Sequence, residues 1–188
     1  MKILATLLAA VTVVATSCAA AQERTINREA VVKAPVAEVW KAWTTNEGIQ
    51  SFFAPEAFVE PRAGGNFHIH FNPYAPKGSK GADDMRVLAV QEGKMLSFTW
   101  NAPPYYPEVR GQNTYVTVRF KPVSDTETRV LLVHGGWGDG GQWDQVYEYF
   151  GKAWTSVLTN LQKRFDEGKP VDWAPFLARM KADQDKKK

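Results

Sequence analysis

The hydrophobic positions between residues 142 and 167 recur at intervals of three and four. This spacing places them on one side of an α-helix, with polar and charged positions mostly on the other. Gly168 and Pro170 follow, and both favour a helix end there. At about 1.5 Å per residue the helix is on the order of 38 Å long, so it needs a broad apolar surface opposite it. Its apolar side chains are Val146, Tyr147, Phe150, Trp154, Val157, Leu158, Leu161 and Phe165.

The chain before this helix is dominated by alternating patterns that predict strands. Residues 24–33 read as a first strand that ends at Pro35, which suits the first turn of a short helix. Thr45 is a suitable N-cap for a second short helix that extends through Phe53. Six more strands are predicted at residues 57–60, 66–71, 85–91, 95–101, 114–122 and 128–135. The pattern therefore predicts an α+β fold in which the long helix lies across a sheet.

The connections between these strands differ in length. Short turns are predicted at residues 61–65, 92–94 and 123–127, and long connections at residues 72–84, 102–113 and 136–141. In an up-and-down meander, successive connections alternate between the two ends of the sheet. The long connections should therefore lie together at one end, called here the loop-rich end, where a functional site is expected.

Several stretches, in their order and spacing, resemble the START-like (SRPBCC) superfamily and within it the heat-shock-protein-90 ATPase-activator-like branch. The resemblance covers about residues 25–168 and rests on fold more than on function, since this fold hosts many activities. The matching stretches are residues 34–44 (APVAEVWKAWT), Gly64-Gly65, residues 96–100 (LSFTW), residues 128–134 (TRVLLVH), and Trp154 with Leu158 and Leu161.

The resemblance implies a helix-grip fold, in which a curved antiparallel sheet of about seven strands wraps around the long C-terminal helix. Two short helices follow the first strand, and a cavity lies between sheet and helix. Alternation along the strands independently directs apolar sets toward the helix. The candidate ligand-binding residues are His134, Trp100, Phe98, Phe67, Ile69, Tyr147, Trp154, Leu132 and Trp137.

His134 is the first candidate for chemistry, because alternation places it on the inward face at the loop-rich end. A neutral imidazole there can bind a ligand or act as a general base. The alternative is a core histidine bonded to backbone or to Tyr147. His68 and His70 alternate with Phe67 and Ile69, so we expect them on the outer, solvated face, without a third ligand for a metal site.

Other motifs are weaker. The glycine-rich residues 135–141 lack the spacing of a nucleotide-binding loop and favour a hinge or lid, with residues 105–107 beside the same opening. Gly151 costs helix stability, about 1 kcal/mol relative to alanine, so a strand or a ligand should approach the helix there. The sequence contains no defensible catalytic set, metal motif or cofactor motif.

Residues 1–21 read as a secretory signal peptide. Lys2 precedes an apolar run over residues 3–15, which is shorter than the roughly 20 residues of a membrane span, and small residues precede Gln22. We therefore expect export to the periplasm or medium, with cleavage before Gln22. Cys18 is the single cysteine. It lies in a loose lipobox, so the alternative is a lipid anchor there, but Ala15 in place of the usual leucine favours simple cleavage.

The expected organisation is one START-like domain over residues 22–168 and an extension over residues 169–188, with a short amphipathic helix and a disordered Lys-rich tail. The formal net charge is +3, and the only basic run is Lys186-Lys187-Lys188, so no nucleic-acid partner is expected. Three functions stay open: an exported binder of a small hydrophobic molecule, a cyclase- or hydratase-type enzyme using His134, and a chaperone-type interaction module.

Overall fold

A computed structural model describes residues 23–186. The predicted signal peptide, with Cys18, and Lys187-Lys188 of the predicted tail lie outside the described residues. The strands are β1 (Ile26–Val32), β2 (Glu56–Val59), β3 (Phe67–His70), β4 (Gly81–Ala82), β5 (Val87–Gln91), β6 (Met95–Trp100), β7 (Thr114–Ser124) and β8 (Glu127–Gly135). The helices are α1 (Val36–Thr44), α2 (Asn46–Gln50), α3 (Pro107–Arg110), α4 (Gln142–Asp166) and α5 (Ala174–Asp185).

The strands form two antiparallel sheets that adjoin each other. One has the order β1-β8-β7-β6-β5, and the other has the order β2-β3-β4. They meet where the Phe67 amide donates to the Met85 carbonyl at 2.9 Å and where Val87 exchanges hydrogen bonds with Gly64 and Gly65 at 2.8 and 2.9 Å. The α+β helix-grip fold is therefore confirmed.

The structure differs from the sequence-based expectation in two short elements. β4 and α3, which have two and four residues, lie inside connections that were predicted to be irregular. Because β4 intervenes between β3 and β5, the predicted unbroken meander is wrong at that point. Elements this short carry too few residues to show a hydrophobic period.

The core lies between the inner faces of the strands and α4. The inward sets predicted by alternation are buried, among them Phe67, Phe98, Val118 and Leu132. From α4, Val146, Phe150, Trp154, Val157, Leu158 and Leu161 are buried, whereas Tyr147 and Phe165 are half-buried. The helix ends at Asp166, and Gly168 follows with φ +66°.

The short helices α1 and α2 follow β1 and pack against strands of the two sheets. The Thr45 hydroxyl accepts a hydrogen bond from the Gly48 amide at 3.0 Å and so caps α2, as predicted. The C-terminal extension docks on the end of α2, because the Trp173 indole N–H donates to the Gln50 carbonyl at 2.6 Å. None of the helices described is long and apolar enough to cross a membrane.

The long connections meet at one end of the sheet, as predicted. Arg110 of α3 donates to the carbonyls of Gly78 and Gly81 at 2.7 and 2.9 Å and thereby joins two of these connections. The Glu108 amide donates to the Gln142 side chain at 3.1 Å, which ties α3 to the start of α4. The loop-rich end is thus one continuous surface.

Candidate functional site

The residues proposed from the sequence as ligand contacts lie together between the sheet and α4. Phe67 stacks on Phe98 with a centroid distance of 3.9 Å, Trp100 lies 5.3 Å from Trp154, and His134 lies 4.1 Å from Trp137. Ile69 and Leu132 are buried in the same core. Tyr147 is half-buried at its edge, 5.4 Å from Trp137, and its hydroxyl donates to the Thr25 carbonyl at 3.0 Å. Their role as ligand contacts stays a prediction.

His134 is completely buried, and both of its ring nitrogens are engaged. An indole nitrogen only donates, so the Trp154 N–H at 2.9 Å requires Nδ1 to accept. Nε2 then carries the proton and donates to the Thr114 hydroxyl at 2.7 Å. That hydroxyl in turn donates to the Trp100 carbonyl at 3.0 Å. The chain of hydrogen bonds fixes one neutral tautomer.

Burial lowers the pKa of His134 to about 3, because the charged imidazolium would lose its hydration. The ring therefore stays neutral over the physiological range. The lone pair on Nδ1 accepts from Trp154, and the proton on Nε2 is donated to Thr114. The ring therefore has neither a free lone pair nor a free proton. This geometry favours a core histidine. Its partners are the side chains of Thr114 and Trp154, whereas the sequence suggested the backbone or Tyr147.

Two adjacent residues at the end of β6 carry buried polar atoms without partners among residues 23–186. They are Trp100, 2% exposed, whose indole Nε1 has no acceptor, and Asn101, 8% exposed, whose Oδ1 has no donor. The Trp100 ring lies against Phe53, at 5.8 Å and nearly parallel, and against Phe150 at 6.4 Å. The sequence-based set omitted both phenylalanines, although Phe150 lies on the predicted apolar side of the long helix.

A group of three tyrosines marks the surface above this core. Tyr105 and Tyr149 are 61% and 39% exposed, and Tyr106 is half-buried between them. The Tyr105 ring lies 4.7 Å from Tyr106 and 6.0 Å from Tyr149, whose own ring lies 5.1 Å from Phe150. Partial burial raises the pKa of Tyr105, and a hydrogen bond with Tyr149 raises it further. This tyrosine group connects solvent to the core through Phe150.

The glycine-rich connection before α4 is fastened to the start of the described chain. The Glu23 carboxylate accepts from the Gly136 amide at 2.9 Å, and Arg24 donates to the Gly138 carbonyl and pairs with Asp144 at 2.6 Å. A side chain at Gly138 would meet the Trp143 ring at 2.4 Å, so glycine is required there. The hinge function stays a prediction.

Comparison with known families agrees with this architecture. The family model described as Activator of Hsp90 ATPase homolog 1-like protein matches residues 33–166. The chain belongs to this family. No curated protein matches the chain.

Solved structures of this START-like fold resemble the protein. Protein MLL2253 from Mesorhizobium loti is 24% identical, with 77% of this chain and 98% of that chain covered and a TM-score of 0.62. The Aha1 dimer from Colwellia psychrerythraea is 18% identical, with 76% and 96% covered and a TM-score of 0.58. CalU16 from Micromonospora echinospora is 24% identical, with 86% and 84% covered and a TM-score of 0.57. At these identities the likeness establishes the fold alone.

The outer face of this family member carries a second histidine cluster. His70 is not solvated as expected, since its side chain is only 12% exposed. Glu56, opposite it on β2, lies 2.6 Å from Nδ1, and Asp83 after β4 lies 3.8 Å from Nε2. Burial lowers the pKa of His68, whose Nε2 has no partner among the described residues. No group of three or more candidate ligands within residues 23–186 is arranged to hold a metal ion.

A groove of about 560 Å³ lies between β1 and α4. Here Arg28 donates from Nε and Nη2 to the Gly151 carbonyl at 3.1 and 2.7 Å. A side chain at Gly151 would lie 3.3 Å from Nη2 of Arg28. The expected close approach to Gly151 is therefore made by the first strand, through its arginine.

Proposed function

We propose that the protein binds a small hydrophobic or aromatic molecule between its sheet and α4. The observation that carries this proposal is the continuous set of aromatic rings that runs from the exposed tyrosine group through Phe150 to Trp100 and Trp154. Binding sites for small molecules are lined mainly by such side chains, with few polar groups among them. Membership of the family and its START-like fold supports the same conclusion.

The geometry also indicates how the ligand enters. The core rings touch one another, so a ligand must separate some of them when it binds. Phe150 is buried but adjoins Tyr149, which is 39% exposed, and α3 with its flanking tyrosines lies over the same side of α4. Displacement of Phe150 and the tyrosine group would open a route from solvent to Trp100.

Binding is tested with the neutral fluorophore 1-N-phenylnaphthylamine, whose emission rises in apolar surroundings. We expect saturable binding at one site, and faster association for Tyr149→Ala, because that substitution removes a ring that must otherwise be displaced. The matched control is Phe58→Ala, which removes a ring that is 54% exposed on β2. Native mass spectrometry of the purified protein would identify a molecule that stays bound. Absence of saturable binding by several neutral aromatic probes would refute the proposal.

We further propose that the protein acts outside the cytoplasm, because residues 1–21 have the pattern of a signal peptide. An exported protein does not meet a cytosolic ATP-driven chaperone, so ligand binding is favoured over a chaperone-type partnership. Determination of the mature N-terminus in the native host checks this. Gln22, or a lipidated Cys18, is expected at that end, whereas intact Met1 on cytosolic protein would contradict export.

A further inference from the structure

We propose that the ligand is uncharged and carries an oxygen atom that accepts a hydrogen bond from the indole N–H of Trp100. This inference rests on the proposed function and specifies the chemistry of its ligand. Trp100 is 2% exposed, and within residues 23–186 its Nε1 has no acceptor. A buried polar group without a partner is unfavourable, and a ligand oxygen would supply the missing acceptor.

The surroundings of Trp100 disfavour a charged ligand. Among the described residues, the only buried side chain with a formal charge is Asp83, and Arg110 neutralises it at 3.1 Å in the long connections. His134 is neutral and its partners are neutral. An ionised ligand would therefore enter an apolar site without a counter-ion, which is strongly unfavourable.

Asn101 extends the argument to the kind of oxygen. Within the described part of the chain its buried Oδ1 has no donor, and it directly follows Trp100, whose Nε1 has no acceptor there. The end of β6 thus carries one unmet donor and one unmet acceptor. A carbonyl oxygen of the ligand satisfies the first of these, and a hydroxyl group has the capacity to satisfy either one.

Trp43 provides the internal comparison. Its indole Nε1 is likewise buried without an acceptor among the described residues. However, its ring lies against Phe52 at 5.2 Å and Phe120 at 6.4 Å, and Phe120 pairs with Val130, away from the loop-rich end. Trp43 has no ring contact with Phe150 or the tyrosine group, and Phe53 lies between it and Trp100, at 5.8 Å from each ring. A ligand that enters beside Phe150 therefore meets Trp100 first.

The experiment compares three probes of similar size by equilibrium dialysis at pH 8: naphthalene, 2-acetylnaphthalene and 2-naphthoate. The wild-type protein should bind the ketone about five- to tenfold more tightly than naphthalene, the usual range for one hydrogen bond. The carboxylate should bind at least about tenfold more weakly than the ketone. Trp100→Phe keeps the aromatic ring but removes the donor, so it should abolish the preference for the ketone, and Trp43→Phe should leave that preference unchanged.

The outcomes separate this inference from the proposed function. If none of the probes binds, the proposed function fails. If the probes bind but the ketone has no advantage, if Trp43→Phe removes that advantage, or if the carboxylate binds equally well, only the inference is overturned. Should Trp100→Phe fail to fold, the indole N–H resonance of Trp100 in the wild type decides. It must move downfield with the ketone and not with naphthalene.

Discussion

Two groups of side chains surround histidines of the protein: the inner cluster around His134 on β8 and the outer cluster around His70 on β3. The two clusters are stabilised in different ways. On the inner face, His134 is completely buried and all of its hydrogen-bond partners are neutral. On the outer face, His70 lies between the carboxylates of Glu56 and Asp83, and Arg110 pairs with Asp83 at 3.1 Å. The inner cluster is therefore held by packing and neutral hydrogen bonds, and the outer cluster by charge.

The contrast has consequences for function. A neutral, water-excluding interior suits an uncharged ligand, because the site provides no counter-ion. The outer cluster instead anchors the loop-rich end. Asp83 accepts from the amides of Gly78 and Gly81 in its own connection at 3.1 and 2.9 Å, and it pairs with Arg110 of another connection at 3.1 Å. The proposed ligand site and the anchors of the loops thus use separate groups.

The largest effect should come from Trp154→Ala, which tests the inner cluster. Trp154 is 1% exposed and donates to Nδ1 of His134. Removal of the ring leaves a cavity and an unpaired imidazole nitrogen, and should lower the free energy of unfolding by about 3–5 kcal/mol. Urea denaturation measures this change.

Two variants serve as controls for Trp154→Ala. Trp154→Phe retains most of the ring but not the hydrogen bond and should cost about 1–3 kcal/mol. Trp173→Ala removes a half-buried tryptophan from the C-terminal extension and should cost less than Trp154→Ala. If Trp154→Ala lowers the free energy of unfolding no more than Trp173→Ala does, the packing of α4 on the sheet does not depend on Trp154.

The pH dependence of stability should give the next largest effect. Burial lowers the pKa of His134 from 6.5 to about 3. Between these two pH values the unfolded chain binds a proton at His134 and the folded protein does not. The stabilising contribution of neutral His134 is therefore complete above pH 6.5 and is lost as the pH falls toward 3. The loss is about 1.4 kcal/mol per pH unit.

The variant His134→Gln isolates this contribution, because glutamine does not titrate and other groups cancel in the difference. Urea denaturation at pH 7, 6 and 5 should show the wild type losing stability faster than the variant as the pH falls. A constant difference between the two proteins over this range would contradict the neutral, buried state of His134.

The sequence predicted the inner cluster better than the outer one, for a physical reason. The alternation that directs Phe98 and Leu132 inward is a local property of a strand, and so is the three-four spacing of α4. It also placed His134 inside. Its partners were not predictable, because Thr114 and Trp154 are each 20 positions away and reach it only through tertiary structure.

The outer cluster was mispredicted because it depends on chain segments that carry no periodic signal. Alternation correctly placed His70 on the outer face, but its burial depends on Glu56 from another strand and on Asp83 from the connection after β4. The sequence could not predict that Nε1 of Trp100 has no acceptor among the described residues. A missing partner can be identified only when the positions of all neighbouring residues are known.

The smallest effect is expected for Asp83→Asn, which tests the outer cluster. Asparagine keeps one acceptor oxygen, loses the charge that attracts Arg110 and turns its NH2 group toward an N–H donor, since Gly78 and Gly81 donate to different oxygens of Asp83. The substitution should cost at least about 1.5 kcal/mol, the low end for a hydrogen bond to a charged group. Asp84→Asn is the matched control: Asp84 has φ 60°, which asparagine tolerates well, and substitution there should change stability by less than about 0.5 kcal/mol.

Salt then distinguishes the two clusters. At about 1 M NaCl the screening length is near 3 Å, so the cost of Asp83→Asn should shrink. The decrease should be small, because the side chains of Arg110 and Asp83 are only 16% and 9% exposed and a largely buried pair is screened less than a surface pair. The cost of Trp154→Ala involves no charge and should stay the same. Equal salt dependence for the two variants, or equal costs for Asp83→Asn and Asp84→Asn, would remove the distinction between a cluster held by charge and one held by packing.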